Sequence, residues 1–179
     1  MPGGEFLTFW TMLLQLPDYE VAHVNEDTQA QRLSLTVIPK HPLGVCPLCG
    51  QVSDDVKQRR TRERIHDLPI GCNAVELKVR QNQFSCSRCL KCFTPPISFL
   101  AEGAHATERF LARAAQLIRQ SDVLNAARFL SVPEKTLSDW YYAYVERQQQ
   151  PRAMTLRTPI RHMGIDELSL KKNTDSSSQ

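Results

Sequence analysis

The chain has 179 residues, 41% of them apolar, with 22 basic and 19 acidic side chains and a net charge of +3. That composition excludes a disordered polyelectrolyte and leaves room for one ordinary domain or two small ones. The charge is uneven: residues 1–45 carry two basic and five acidic groups, 46–92 nine and five, and 93–179 eleven and nine.

Taken in chain order, the apolar run Phe6–Leu16 is too short for a membrane helix, and Glu5 stands where a signal peptide would carry positive charge. It is expected to be a buried opening segment of a cytoplasmic protein without membrane contact. The rest of the segment to about residue 45 reads as strands. Leu33, Leu35 and Val37 share one face at period two before Pro39 and Pro42 break the run. Residues 1–45 are therefore expected as a β segment packing on the module that follows.

Residues 46–98 hold paired cysteines around another alternating run, with Val75, Leu77 and Val79 on one face and Glu76, Lys78 and Arg80 on the other; Pro95-Pro96 closes it. Cys46-Pro-Leu-Cys49-Gly50 and Cys86-Ser-Arg-Cys89 are two Cys-x-x-Cys knuckles. Two residues between cysteines let both thiolates of a tight turn reach one ion, and two such turns complete a tetrahedral zinc site. A glycine after the first knuckle suits the positive φ such turns require. The 36 residues between knuckles exceed ordinary zinc-ribbon spacing, so intervening strands must bring them together. Cys92 could replace Cys89 as a ligand, Cys72 reads as a small buried side chain, and His66 reads as structural. Four sulfur ligands would leave no position for a reactive water, so the zinc would stabilise rather than catalyse.

Lys57–Arg64 packs five cations and one acid into eight residues. Arg59, Arg60, Arg62 and Arg64 are candidate phosphate contacts, although such runs also occur as plain solvated faces. From Thr107 the period becomes helical. Phe110, Ala114, Leu117 and Ile118 form one stripe. Val123, Ala126, Ala127 and Leu130 form a second, and Leu137, Trp140, Tyr141 and Tyr144 a third. Ser131-Val-Pro-Glu134 has the pattern of a capping box opening the last helix. A short helix, a tight turn and a helix of about eleven residues predict a helix-turn-helix over 122–144. In such motifs the start of the second helix approaches base edges, which makes Lys135, Ser138 and Tyr142 candidate DNA contacts. The fold class expected is α+β: a small β-rich four-cysteine zinc-binding domain (46–98) followed by an all-α helix-turn-helix domain (99–150). After Gln148–Gln150 comes a linker, and 151–179 holds that linker, Met163-Gly164-Ile165-Asp166 and a serine-rich tail.

The order of these motifs resembles the bacterial insertion-sequence transposases of the L-three type, which begin with a zinc-binding domain, continue with a helix-turn-helix and end in a ribonuclease-H-like domain with an Asp-Asp-Glu triad. The resemblance rests on Cys46-Pro47-x-Cys49-Gly50, Asp67-Leu68-Pro69-Ile70, Phe84-Ser85-Cys86-x-x-Cys89 and Phe93-Thr94-Pro95, with Thr107-Glu108-Arg109-Phe110 and the helical pair ending in Trp140. Gly164-Ile165-Asp166-Glu167 is similar to the strand bearing the family's first catalytic aspartate. The resemblance implies a transposase that binds transposon-end duplex DNA, as a homodimer or beside a full-length enzyme, in the bacterial nucleoid. It further implies a structural zinc, with magnesium needed only by a full catalytic domain. The chain ends 13 residues after Asp166. Two-metal phosphoryl transfer needs several carboxylates around two cations, so a truncated transposase that binds without cutting is expected. A zinc-dependent transcription regulator and a protein-interaction scaffold are the competing readings.

Overall fold

In the computed structural model the described residues are 3–153. The chain opens with helix α1 (Gly3–Leu14) and two strands, β1 (Tyr19–Asp27) and β2 (Arg32–Pro39). A short hairpin follows, β3 (Gly44–Val45) and β4 (Val52–Ser53), and then the long strands β5 (Val56–Ile70) and β6 (Asn73–Ser85) and the short β7 (Cys92–Phe93). Three helices complete it: α2 (Glu108–Gln120), α3 (Val123–Leu130) and α4 (Glu134–Ala153). The architecture is α+β with a β-rich N-terminal half. No described helix is long and apolar enough to cross a membrane.

One sheet runs β1-β2-β6-β5, with β7 extending the β6 end. Neighbours are antiparallel except β2 and β6, which are parallel from Arg32↔Ala74 to Val37↔Val79. Residues 1–45 thus contribute two strands to the same sheet as the cysteine-bearing segment. The alternation read in β2 and β6 is the inward face: Leu35, Val37, Leu77 and Val79 are fully buried, with Leu33 and Val75 nearly so. Ile65, Ile97, Phe99, Leu14 and Leu16 close over them.

The opening segment departs from expectation. Phe6–Leu16 is neither strand nor uniformly buried; α1 covers most of it, and Phe6, Phe9, Met12 and Leu13 are exposed. Only Leu14 and Leu16 are buried in the sheet core, with Leu7 and Trp10 partly so. A short apolar run lacks the periodic contrast that distinguishes helix from strand. Helical geometry moreover turns only one stripe of an apolar segment inward. Thr11 fixes α1 to the sheet, its Oγ accepting the Val21 N–H at 2.9 Å.

The three C-terminal helices share a second core around Phe110, Leu111, Ala114, Ala127, Leu130 and Leu137. Thr107 N-caps α2, its Oγ accepting the Phe110 N–H, and Asp122 N-caps α3 by accepting the Asn125 N–H. Ser131 does not open α4 as the capping-box pattern suggested. It closes α3 in the left-handed conformation, with its N–H directed to the carbonyls of Ala127 and Arg128. Helix α4 continues through Gln148–Gln150, the expected end of the helical domain, to Ala153; Glu146, Arg147 and Gln148 are all good helix formers.

Candidate metal centre and nucleic-acid interface

The two knuckles are built alike. Cys46 N–H donates to the Gln51 carbonyl and Gly50 N–H to the Cys46 carbonyl, both at 2.9 Å. In the second knuckle Cys86 N–H donates to Lys91 O at 2.9 Å and Leu90 N–H to Cys86 O at 2.8 Å. Each turn needs one left-handed residue at its close: Gly50 at φ +71° in the first, and Leu90 at φ +55° in the second. Hairpin β3–β4 carries the first turn and β6–β7 the second. Ser53 joins the two, its hydroxyl donating to Ser85 O at 2.5 Å, while Ser85 N–H donates to Asp55 O. Behind them Phe84 and Phe93 stack with centroids 5.9 Å apart. Gly44 is required there: a Cβ would meet Phe84 at 2.6 Å.

These contacts gather what 36 residues separate. The Sγ atoms of Cys46, Cys49, Cys86 and Cys89 all lie within 4.8 Å of one another, and Cys49 and Cys86 are 3.6 Å apart. Thiolates around a tetrahedral zinc sit roughly 3.8 Å apart at ordinary Zn–S lengths of about 2.3 Å. All four are free thiols, Cys46 and Cys86 being buried, so the donor set and spacing fit zinc. The Cys89 N–H, donating to Cys86 Sγ at 3.4 Å, leads in holding the Cys86 thiol down to about 7; the Cys49 thiol leads in pushing Cys89 up to about 12. Such crowding of sulfurs is relieved by a cation. Cys92 is exposed in β7, outside the group, and Cys72 is exposed in the β5–β6 turn rather than buried as expected. A two-residue turn at the end of a hairpin leaves no core for it to enter.

The basic run occupies β5, the sheet's edge strand, and all its members are exposed. Because strand side chains alternate, the four arginines do not form one site. Arg59 pairs with Asn82 and shares the outward face, whereas Arg60 and Arg62 pair with Gln81 and Val79 on the inward one. Arg62 Nε donates to the Gln81 side chain at 3.1 Å. Arg64 lies in a bulge at φ +55°. In the helical unit, residues 131–133 separate α3 from α4. Lys135 and Tyr142 are exposed on α4 and Ser138 half-buried, while Leu137 is fully buried and Trp140 and Tyr141 partly so. Asp166 lies outside the described residues.

A junction between sheet and helices was missed from sequence. Asp67, buried on β5, accepts from Thr107 Oγ at 2.7 Å and from Arg109 Nε at 2.7 Å, and pairs with the Arg109 guanidinium through its second oxygen. Arg109 also donates to the Leu14 carbonyl at the end of α1. On the opposite face of β5, the His66 ring lies 5.9 Å from that of Phe110 and 5.8 Å from that of Trp140. Burial there lowers the His66 pKa. The two motifs Asp67-Leu-Pro-Ile and Thr107-Glu-Arg-Phe thus meet in space.

Residues 42–89 match the zinc-finger of transposase IS204/IS1001/IS1096/IS1165. Over 144 residues, 78% of the chain, the sequence is 26% identical to a protein of Bordetella parapertussis described as the transposase for insertion sequence element IS1001. The chain spans about a third (34%) of the length of that curated relative. No solved structure matches. The cysteine-bearing segment therefore resembles the zinc ribbon of insertion-sequence transposases.

Proposed function

We propose that a chain carrying this ribbon is the DNA-binding portion of a transposase, with zinc held by Cys46, Cys49, Cys86 and Cys89 and transposon-end duplex read by α3 and α4 as a helix-turn-helix. The observation that carries the reading is the four-thiol group within a segment matching transposase zinc fingers, clamped by Asp67 and Arg109 to a three-helix unit. Zinc with four sulfur ligands supplies fold stability and no water for chemistry. Helix α4 would enter the major groove by its N-terminal end, where Lys135 and the half-buried Ser138 precede Tyr142. Arg59, the β5 arginine that shares the outward face with Asn82, would hold the backbone beside it.

Asp166 is the proposed first carboxylate of a two-metal centre. Glu167 follows it directly and, on a strand, would face the other way. One carboxylate cannot hold the pair of cations that stabilises the attacking and leaving oxygens, so on this reading these 179 residues bind ends without cutting them. The partner at paired ends would be a second copy or a full-length enzyme.

The test is binding and nicking of a plasmid that bears the element's ends, by zinc-loaded protein with magnesium or manganese. Preferential protection of the ends without strand breaks is expected. Equal affinity for ends and unrelated duplex would remove end recognition, and preference for some other operator would favour the regulator. Cleavage abolished by Asp166→Ala would show that the site is completed in a way the proposal omits.

A further inference from the structure

The outward face of the sheet carries cations that the linear basic run does not reveal. The β5–β6 register sets Arg59 opposite Asn82 and Thr61 opposite Arg80, and β2 sets Thr36 beside Lys78. By alternation these side chains all leave the face opposite the apolar core. Arg59, Lys78 and Arg80 are exposed, and among the described residues none of the three forms an ion pair. The acid on the same face of β6, Glu76, is already paired with Arg32 at 2.8 Å. Glu20 and Asp27, the acids of that face on β1, are two strands from β6, about 10 Å at ordinary strand spacing. Glu63 sits in the β5 bulge between Arg62 and Arg64.

Charge on an edge strand has an ordinary explanation, because it discourages edge-to-edge association. That accounts for Arg59 on β5 but not for Lys78 and Arg80, since β6 is an interior strand flanked by β2 and β5. Further along the same face is His66, opposite Glu76, which bears the rings of Phe110 and Trp140. Helix α4 therefore stands at the end of the cationic face, on the same side of the sheet.

We infer that the outward face of β5 and β6 is a second duplex-DNA surface, in which Arg59, Lys78 and Arg80 contact phosphates while α4 engages the groove. The inference rests on the DNA-binding reading above and adds to it Lys78 and Arg80, which lie outside both the basic run and the helix-turn-helix. Arg60 and Arg62, on the opposite face, take no part in it. Threonines 36 and 61, between the cations, supply neutral donors of the kind that also bond phosphate oxygens.

The test compares two charge-matched double variants of the zinc-loaded full chain, Lys78→Gln/Arg80→Gln and Arg60→Gln/Arg62→Gln, binding a labelled mixed-sequence duplex across a salt series. All four side chains are exposed, so zinc content and melting check that folding is kept. Losing two phosphate contacts should flatten the slope of log affinity against log salt by roughly 1.8 for Lys78→Gln/Arg80→Gln, with weaker binding to every sequence. The opposite-face pair should change the slope less than half as much. Equal slopes for the two pairs, or an unchanged slope for Lys78→Gln/Arg80→Gln, would overturn the inference while salt-sensitive binding by the parent leaves the DNA reading intact. A parent chain that binds no duplex at low salt overturns both.

Discussion

The knuckle end of the sheet and the three-helix unit are held by different means. Buried side chains at the knuckles are few: Cys46, Phe84, Cys86 and Phe93. Their surroundings leave Leu43, Val45, Leu48, Val52 and Leu90 in solvent. The helical unit, though it leaves Leu124, Phe129 and Tyr142 exposed, buries ten residues in one cluster, seven of them on the helices, and caps two of its helix N-termini. A region that cannot cover its apolar residues needs a covalent or metal staple, whereas a helical unit with three apolar stripes does not. The contrast explains why ligand cysteines occur in only one of them.

The largest effect should come from removing zinc. Structural zinc contributes on the order of 10–16 kcal/mol in small sites, so chelation or Cys46→Ser should unfold the knuckle end while the helical signal survives. Amide exchange read residue by residue would check this, with metal analysis giving one zinc per chain before and less after substitution. Uniform loss of protection across both regions would erase the distinction between them.

Next is the junction. Asp67→Ala leaves the Arg109 guanidinium beside an emptied buried site, and breaking a buried pair costs about 3–5 kcal/mol. Denaturant unfolding should then resolve into two transitions where the parent shows one, with zinc content unchanged. A single unshifted transition would show that the two regions are not coupled through this contact.

Within the helices, Leu137→Ala should cost about 2–5 kcal/mol, the usual range for truncating a fully buried leucine. Thermal melting would register it and the zinc stoichiometry would not, in contrast with Cys46→Ser. The smallest expected change is a gain. Leu90 holds the left-handed position that Gly50 fills in the matching turn, at about 1–2 kcal/mol for a side-chain-bearing residue. It is 85% exposed and gives up almost no burial, so Leu90→Gly should stabilise the knuckle by under about 1 kcal/mol after the entropy that glycine adds to the unfolded chain. A lower melting temperature would mean that the leucine is there for a contact.

Much of this was legible from local pattern. Both Cys-x-x-Cys turns, the inward residues of β2 and β6, the stripes of α2 and α3 and the three-residue turn before α4 all follow from spacing within a few residues, because thiolate reach and side-chain period act at that range. The opening helix was not, since a short apolar run without polar contrast fits either period. Ser131 was assigned to the wrong helix because a residue between two helices can satisfy the end of one or the start of the other, and only the backbone conformation decides.

What the sequence by itself determined, then, was which residues have the chemistry: four thiols in two turns, a cluster of cations, and helices with one apolar side. Only the tertiary structure decided which of them act together. Parallel pairing of β2 with β6, the bulge in β5 and the meeting of Asp67 with Arg109 join residues far apart in the chain. Such pairings depend on burial and register summed over the whole sheet, and no short window contains them. The same register divided a continuous basic run between two faces and put Arg59 on the face of Lys78 and Arg80, because alternate residues of a strand point to opposite sides however uniform their charge.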